Sequence, residues 1–283
     1  MSTTTVTSQS PLRPARVDLR AHFGLHSLPL TRELPIDRRM PFPQLEATVQ
    51  ALRAAVEERM SAALIAPAGT GKSVALRALA ALLPESRYHV HYLHVTSLSK
   101  RDFCRYLATA IGAPPAGHTG ALVAAIQQRA TTLADADAVR PVLLLDEAHE
   151  MRPDVLGLLR LLTNFEIDSR LVLSIILAGQ PPLRTLLRRD ELADVRGRLA
   201  QIATLRTLSR EESHAYLAHR LAVAGATAEL FDRAALDAVY EVAQGNLRAL
   251  DTIGLRALYL AADGGAAVCG VEHVTAARTQ ITA

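Results

Sequence analysis

The sequence has no tryptophan, and aromatic residues make up only 4% of its 283 positions. Proteins that bind single-stranded nucleic acid by base stacking need several aromatic side chains, so this composition argues against that class. Cysteine is also scarce. Cys104 and Cys269 lie far apart and match no metal-ligand spacing, so we expect two reduced thiols in an intracellular protein rather than a disulfide.

Long apolar runs are missing too, although 49% of the residues are hydrophobic. No stretch reaches the roughly 18 to 20 consecutive apolar residues of a membrane span. The first residues lack the apolar core of a secretory signal. We therefore expect a cytoplasmic protein with no membrane partner. The length suits one large α/β domain with a smaller companion domain.

The net positive charge of the chain comes from its N-terminal segment. Residues 1–40 contain six arginines and three carboxylates, so their excess equals the net charge of +3 of the whole chain. Such a segment suits nucleic acid or an acidic partner, although solubility explains it almost as well. Residues 1–16, rich in Ser, Thr and Pro, are predicted to form a disordered basic arm. Val17 to Pro43 is predicted as an ordered leader on the main domain.

A glycine-rich turn between an apolar run and a helix-forming run predicts a phosphate-binding loop. Its backbone N–H groups would surround a phosphate at the N-terminus of a helix. Lys72 would reach the outer phosphates, and the Ser73 hydroxyl would hold Mg²⁺. The leading glycine of the usual pattern is replaced by Ala66. The residues predicted to bind the nucleotide are Pro67, Ala68, Gly69, Thr70, Gly71, Lys72, Ser73 and Val74.

A second stretch, Pro141 to Leu145, is wholly apolar and is followed by Asp146 and Glu147. Fully apolar strands belong at the centre of parallel sheets, and ligands bind at the carboxyl ends of their strands. Asp146 would join the Mg²⁺ shell, and Glu147 would orient or deprotonate the attacking water. Together the two motifs predict a nucleotide-hydrolysing fold.

Further candidates lie at strand and helix ends. Gln180 follows an apolar strand predicted at 171–178 and could contact the γ-phosphate or the attacking water. Arg198, with Arg196 as second choice, precedes a last short strand and could act as an arginine finger in a neighbouring subunit. Arg248, in the helical C-terminal region, could fold onto the phosphates. Turn residues and solvated basic side chains are the alternative interpretations.

Taken together, these motifs resemble those of the AAA+ ATPases. The resemblance implies a P-loop α/β fold with a parallel five-stranded sheet flanked by helices, plus an all-helical C-terminal lid. It implies domains at 17–207, which includes the leader, and at 208–283. It implies that Gln180 is the first sensor, Arg198 the arginine finger and Arg248 the second sensor, with ATP and Mg²⁺ as cofactors.

More narrowly, the chain resembles the small bacterial ATPases that accompany DDE transposases, and their general-secretion relatives. The residues that carry this resemblance are His22–Leu25 with Leu28 and Pro29, Leu161–Phe165 with Asp168–Arg170, Leu177–Pro181, and the tetrapeptide Asp146–His149. It implies a homo-oligomer, as a ring or helical filament on duplex DNA, that recruits or activates a DDE transposase or selects the target site. ATP hydrolysis, slow and stimulated by DNA, would drive disassembly. A nucleoid-associated location follows.

Lys100 and Arg101, in the first turn of a predicted helix, are the candidates for contact with DNA phosphates; an exposed solvated turn is the alternative. Two further functional interpretations stay open. A helicase-loader or initiator ATPase would share the same nucleotide site. A secretion-type ATPase is expected to have a membrane span and a cell-wall-binding region, and neither is visible in this sequence.

Overall fold

The structure is a computed structural model that describes residues 17–282. A five-stranded sheet lies at its centre, with strand order β2-β3-β4-β1-β5 and every pairing parallel. The parallel five-stranded sheet predicted from the sequence is confirmed. The strands are β1 (Ser61–Ile65), β2 (Tyr88–His94), β3 (Arg140–Asp146), β4 (Ser174–Gly179) and β5 (Leu199–Thr204).

Strand position in the sheet follows residue type. All residues of β1 and β4 are buried, as are all residues of β3 except its first. These are the three central strands, and an apolar strand covered on both faces has this composition. The edge strand β5 instead alternates between half-buried and exposed residues, since only one of its faces is covered.

Thirteen α-helices are described in residues 17–282. The apolar spacing of Val155, Leu158, Leu159 and Leu162 predicts one helix from about Pro153 to Phe165, but two short helices lie there instead. The chain turns at Gly157, a residue with low helix propensity, and divides this segment into α6 and α7. The helices are α1 (Leu19–Phe23), α2 (Pro43–Glu57), α3 (Lys72–Leu82), α4 (Lys100–Ile111), α5 (Thr119–Asp135), α6 (Pro153–Leu156), α7 (Leu158–Leu162), α8 (Pro182–Leu187), α9 (Ala193–Gly197), α10 (Arg210–Val223), α11 (Arg233–Ala243), α12 (Leu247–Asp263) and α13 (Val271–Thr282).

In the sequence, Ser99 with Asp102 and Ser209 with Glu212 match the capping-box pattern, which predicts a helix start at each pair, and both starts are confirmed. At α4, the Ser99 hydroxyl accepts a bond of 3.2 Å from the Asp102 backbone N–H. At α10, Ser209 and Glu212 bond reciprocally, with distances of 3.2 and 2.8 Å. Each bond satisfies a backbone donor that has no partner inside the helix.

By contacts the chain divides into two compact units. The α/β unit comprises Glu33–Ser213 and Ala243–Ala249. The helical unit comprises the described part of Met1–Arg32, with His214–Val242 and Leu250–Ala283. These bounds differ from the predicted domains, because leader residues 17–32 group with the helices and the turn 243–249 groups with the sheet. The basic arm predicted at 1–16 lies outside the described residues.

Specific contacts explain where the leader packs. The His26 backbone N–H donates to the Ala224 carbonyl at 2.8 Å, and the Arg220 guanidinium donates to the Thr31 carbonyl. Leu30 is buried against Gly254, where an added Cβ would lie 2.8 Å from the leucine side chain. Residues 17–32 of the leader therefore pack within the helical unit.

No helix within residues 17–282 is long and apolar enough to cross a membrane. Both cysteines are buried and unpaired, as expected. Over the same residues, no cluster of three or more His, Cys, Asp or Glu side chains could hold a metal ion.

Candidate functional site

The predicted phosphate loop joins the buried strand β1 to α3. Two glycines within it adopt left-handed conformations, Gly69 with φ 75° and Gly71 with φ 105°. A Cβ added to Gly69 would lie 2.3 Å from the Asn246 side-chain oxygen, so a larger residue there would displace the Asn246 amide and would be strained at this positive φ. The Thr70 hydroxyl closes the turn by donating to the Pro67 carbonyl at 2.8 Å.

Lys72, the first residue of α3, is only 5% exposed. Its ammonium donates to the carbonyls of Ala66 and Pro67 at 3.2 and 3.3 Å. Burial lowers the pKa of this amine, although the carboxylates of Glu147 and Asp146 oppose the shift. No side chain caps α3, so backbone N–H groups in its first turn are available to an anion.

Asp146 ends β3 and is 3% exposed. One of its oxygens, Oδ2, accepts from the Ser73 hydroxyl at 3.4 Å and from the Tyr92 hydroxyl at 3.0 Å. Two neighbouring ligands of an octahedral Mg²⁺ lie about 3 Å apart, since each is about 2.1 Å from the metal. The spacing of Ser73 and Asp146 therefore fits Mg²⁺, which usually keeps several waters and binds phosphate oxygens.

Glu147 has φ 59°, a left-handed backbone conformation that few non-glycine residues adopt. The Gln180 amide donates to its Oε2 at 3.4 Å. His149 Nδ1 lies 3.3 Å from the same oxygen and 3.4 Å from the Gln180 backbone N–H. Glu147 and Gln180, the residues predicted to act on the attacking water, are thus in contact.

Strand order explains this convergence. β4 pairs with both β1 and β3, so Gln180, which follows β4, lies between the phosphate loop and the acidic pair. The Ala66 backbone N–H donates to the Gly179 carbonyl at 3.0 Å, which ties the loop to the end of β4. All three motifs therefore lie at the carboxyl edge of the sheet, where ligands of parallel α/β folds bind.

The turn before α12 also contacts the phosphate loop. The Arg248 backbone N–H donates to the Gly69 carbonyl at 3.3 Å, and the Asn246 amide donates to the Ala68 carbonyl at 2.6 Å. The Arg248 charge helps to lower the pKa of Lys72. Arg248 therefore lies beside the predicted phosphate loop.

Two other predicted groups lie apart from this cluster. The Arg198 guanidinium makes two bonds to the Asp168 carboxylate, one of them 2.9 Å long, and Arg196 donates to the Leu187 carbonyl at 3.2 Å. Lys100 lies 3.8 Å from the Asp154 carboxylate, and Arg101 is exposed in the same turn of α4. These residues do not reach the nucleotide site of their own chain.

Sequence reasoning missed three residues of the site: Tyr92, His149 and Asn246. His149 had a signal, since it follows the acidic pair within the same tetrapeptide, and Asn246 lies two residues before Arg248. Tyr92 had none, because its contact with Asp146 depends on the pairing of β2 with β3, where His94 is opposite Asp146. That register cannot be read from either strand alone.

Residues 54–187 match the model of a family described as an AAA domain. The chain contains an AAA domain. The matched region includes the phosphate loop, the acidic pair and Gln180, whereas Arg198 and Arg248 lie beyond it. The fold class expected from the sequence is thereby confirmed.

This chain is similar to a curated protein, the general secretion pathway protein A of Aeromonas hydrophila. It is 34% identical over 194 residues, which cover 68% of this chain and 35% of the relative. The chain thus spans about a third of the length of the curated relative that it matches.

Solved structures with the same fold include CDC6P from Pyrobaculum aerophilum, with 19% identity and a TM-score of 0.68 over 93% of this chain and 71% of that chain. The ORC1 protein of Aeropyrum pernix, solved in complex with DNA, has 17% identity and a TM-score of 0.65 over 88% of this chain and 68% of that chain. At these identities the similarity shows that the fold is shared, and it shows nothing about function.

Proposed function

We propose that this protein is an ATPase that assembles on duplex DNA in its ATP-bound state and recruits or activates a DDE transposase. Hydrolysis, slow and stimulated by DNA, returns it to a dissociated state. One observation carries the catalytic part of the proposal. Lys72, Ser73, Asp146, Glu147 and Gln180 meet at the carboxyl edge of one sheet.

Each of these residues has a chemical role in the proposed hydrolysis. Lys72 and the N–H groups of the phosphate loop bind the β- and γ-phosphates. Ser73 and Asp146 hold Mg²⁺, which neutralises charge on the phosphates when it is bound. Glu147 accepts a proton from the attacking water or orients it, and Gln180 fixes the Glu147 carboxylate. Arg248 adds positive charge on the side of Gly69.

Arg198 pairs with Asp168 and does not reach the nucleotide site of its own chain. An arginine supplied by a neighbouring copy would complete it, and such a finger is worth about 10³ to 10⁵ in turnover. ATP hydrolysis is therefore expected to need an assembled form, which supports the proposed homo-oligomer.

Contact with duplex DNA is assigned to Lys100 and Arg101. Both are exposed at the start of α4, which follows the carboxyl end of β2. Charged contacts of this kind bind phosphates and carry no sequence information. A solved neighbour of the fold, the ORC1 protein, binds DNA, which supports DNA as the ligand class. The motifs shared with transposition ATPases point to a transposase as partner.

The test is duplex DNA binding with ATP, with a non-hydrolysable ATP analogue and with ADP. Binding is expected with the first two and at least tenfold weaker with ADP. Lys100→Ala/Arg101→Ala should weaken DNA binding. It should also reduce the slope of log K against log salt concentration by about 1.8 in magnitude, since each lost phosphate contact removes about 0.9. Arg188→Ala/Arg189→Ala, an exposed pair with the same charge change, is the matched control. Equal and negligible binding in all three nucleotide states would refute the proposal.

A second candidate is a secretion-type ATPase, which the 34% identity to general secretion pathway protein A favours. That function would use the same nucleotide site but no DNA. It predicts ATP turnover that duplex DNA leaves unchanged, whereas the first proposal predicts stimulation. Measuring phosphate release with and without DNA separates the two. An initiator-type ATPase would also bind DNA, and a transposase pull-down distinguishes it.

A further inference from the structure

The segment between α7 and β4 has an unusual backbone. Glu166, Ile167 and Asp168 have φ values of 49°, 58° and 65°, so three consecutive non-glycine residues are left-handed. Single residues of other types visit this region, but a β-branched isoleucine rarely does. We call residues 164–170 the apical loop. Such conformations persist only where neighbouring contacts impose them.

Several side chains impose this shape. The Asn164 side chain accepts from the Asp168 backbone N–H at 3.0 Å, and the Ser169 hydroxyl donates to the Glu166 carbonyl at 2.7 Å. Arg170 pairs with Glu166 and with Asp135 of α5. The apical loop is therefore tied both to itself and to the helix beside it.

These contacts hold an apolar side chain in solvent. Ile167, at the apex, is 99% exposed, and nearby Leu161 and Leu171 are also substantially exposed. Fixing an isoleucine outward gives no gain in the stability of a single chain, because the apolar surface stays in water. An apolar side chain that the fold holds in solvent in this way is a candidate contact for another molecule.

The charges around Ile167 argue against DNA as the partner. Glu166 and Asp168 flank it, and Arg170 and Arg198 are each already paired with carboxylates of the loop. A DNA backbone would be repelled by the two acids, whereas a protein surface with an apolar recess would accept them at its rim.

The same α/β unit has such a recess. A groove of about 980 Å³ opens beside Ser73, between α3 and β2. Its lining is mainly apolar and includes Leu76, Ala80, Leu83, Val90 and Leu144. Ser73 and Tyr92, which both line the groove, contact Asp146, so the groove adjoins the proposed Mg²⁺ site.

We propose that the apical loop of one copy docks in the groove beside Ser73 of the next copy, and that Asp168 holds Arg198 in position to reach that copy's nucleotide. The inference rests on the proposed ATP-dependent assembly. Arg198 and the loop are joined by two hydrogen bonds, so an Arg198 that reaches the phosphates brings the loop to the surface beside Ser73. Asp168 uses two of the five guanidinium donors, which leaves three for phosphate oxygens.

The interface is tested by ATP-dependent assembly without DNA, followed by analytical ultracentrifugation. Ile167→Asp should raise the concentration needed for assembly at least tenfold, and Ile202→Asp, at an exposed position on β5, should leave it unchanged. Binding of a fluorescent ATP analogue to dilute, unassembled protein should be the same in both variants. An Ile167→Asp protein that assembles like the unmodified one overturns the inference.

The acceptor groove is tested by cross-linking chains that carry Ile167→Cys to chains that carry Ala80→Cys with a short bis-maleimide. Both native thiols are buried, and burial raises the pKa of Cys104 to about 11, so their background reaction is low. The mixture should give covalent dimers with ATP and few with ADP. Replacing Ala80→Cys by Val268→Cys, an exposed site on the helical unit, should give few dimers. Equal yields from the two acceptors overturn the assignment of the groove.

The role of Asp168 is tested by kinetics. Asp168→Ala should lower kcat for ATP at least tenfold and leave KM within about twofold, since the nucleotide site of each chain is intact. Asp168→Glu, which keeps the carboxylate, should recover part of the loss. An unchanged kcat overturns the positioning role. A protein that assembles with ATP through the loop but binds no DNA would refute the proposed function and leave this interface standing.

Discussion

Among residues 17–282, Arg220 of the helical unit and Lys72 of the α/β unit are both buried basic side chains, but their hydrogen-bond partners differ. In the helical unit, Arg220 Nη1 lies 3.1 Å from Asp251 Oδ2, and the Tyr216 hydroxyl donates to Asp251 at 2.9 Å. In the α/β unit, Lys72 bonds to two backbone carbonyls, and Asp146 accepts from neutral donors, two hydroxyls and a backbone N–H.

The difference separates structural charges from functional ones. Charges that pair with each other, as Arg220 and Asp251 do, hold a fold together, because removal of either leaves its partner buried and uncompensated. A charged side chain whose hydrogen bonds go only to neutral groups has no hydrogen-bonded counter-ion, so it can attract a ligand of opposite charge. Lys72 favours an anion and Asp146 a cation, which are the two charges of a magnesium nucleotide.

The largest expected effect tests the structural pair. Arg220→Met should lower the free energy of unfolding by about 3 kcal/mol, since it leaves the largely covered Asp251 carboxylate without its counter-ion. Arg220→Met/Asp251→Asn should cost less than the sum of the two single changes, because no ion is left unpaired. Urea unfolding followed by circular dichroism measures both. Strictly additive losses would mean that the pair is not coupled.

Lys72→Met tests the functional pair. We expect affinity for a fluorescent ATP analogue to fall about 100-fold, or about 2.7 kcal/mol, because the phosphates lose their nearest cation. The nucleotide-free protein should change in stability by less than about 1 kcal/mol, since a partly compensated buried charge is removed. Lys100→Ala, an exposed lysine, is the control. A loss of stability as large as that of Arg220→Met would abolish the distinction.

Tyr92→Phe has a smaller expected effect. It removes the hydroxyl that donates to Asp146 at 3.0 Å, and with it one group that orients the carboxylate for Mg²⁺. Outer partners of metal ligands typically change affinity about tenfold or more, so the Mg²⁺ concentration for half-maximal ATPase activity should rise about tenfold. Tyr106→Phe, at another exposed tyrosine, should leave this concentration unchanged.

The smallest effect is a pH dependence of the helical unit. Burial raises the pKa of Asp251 to about 6, although Arg220 opposes the shift. In the unfolded state the pKa of Asp251 is near 3.9. Between about pH 4 and pH 6, Asp251 is therefore protonated in the folded state and ionised in the unfolded state. The stability of the folded state should rise as the pH falls from 7 to 5, by about 1 kcal/mol. Asp251→Asn should remove this part of the dependence, and a curve that coincides with that of the unmodified protein would contradict the assignment.

Local signals were enough to predict most elements. The capping boxes at Ser99 and Ser209 marked helix starts, and wholly apolar runs marked the central strands. The phosphate loop was predicted because a turn, a cation and a helix N-terminus must follow one another in sequence to bind a phosphate. The break at Gly157 and the packing of the leader were not predicted, since the first depends on a weak propensity and the second on contacts with distant helices.

The sequence by itself determined the parts of the nucleotide site, because each part is a short motif whose residues are neighbours in the chain. Only the tertiary structure decided which other side chains join those parts. Tyr92 contacts Asp146 through strand register, Asn246 contacts the phosphate loop from 178 residues away, and Asp168 holds Arg198 across 30 residues. Such pairings depend on strand order and on the path of the chain between elements, and no local pattern of residues encodes either.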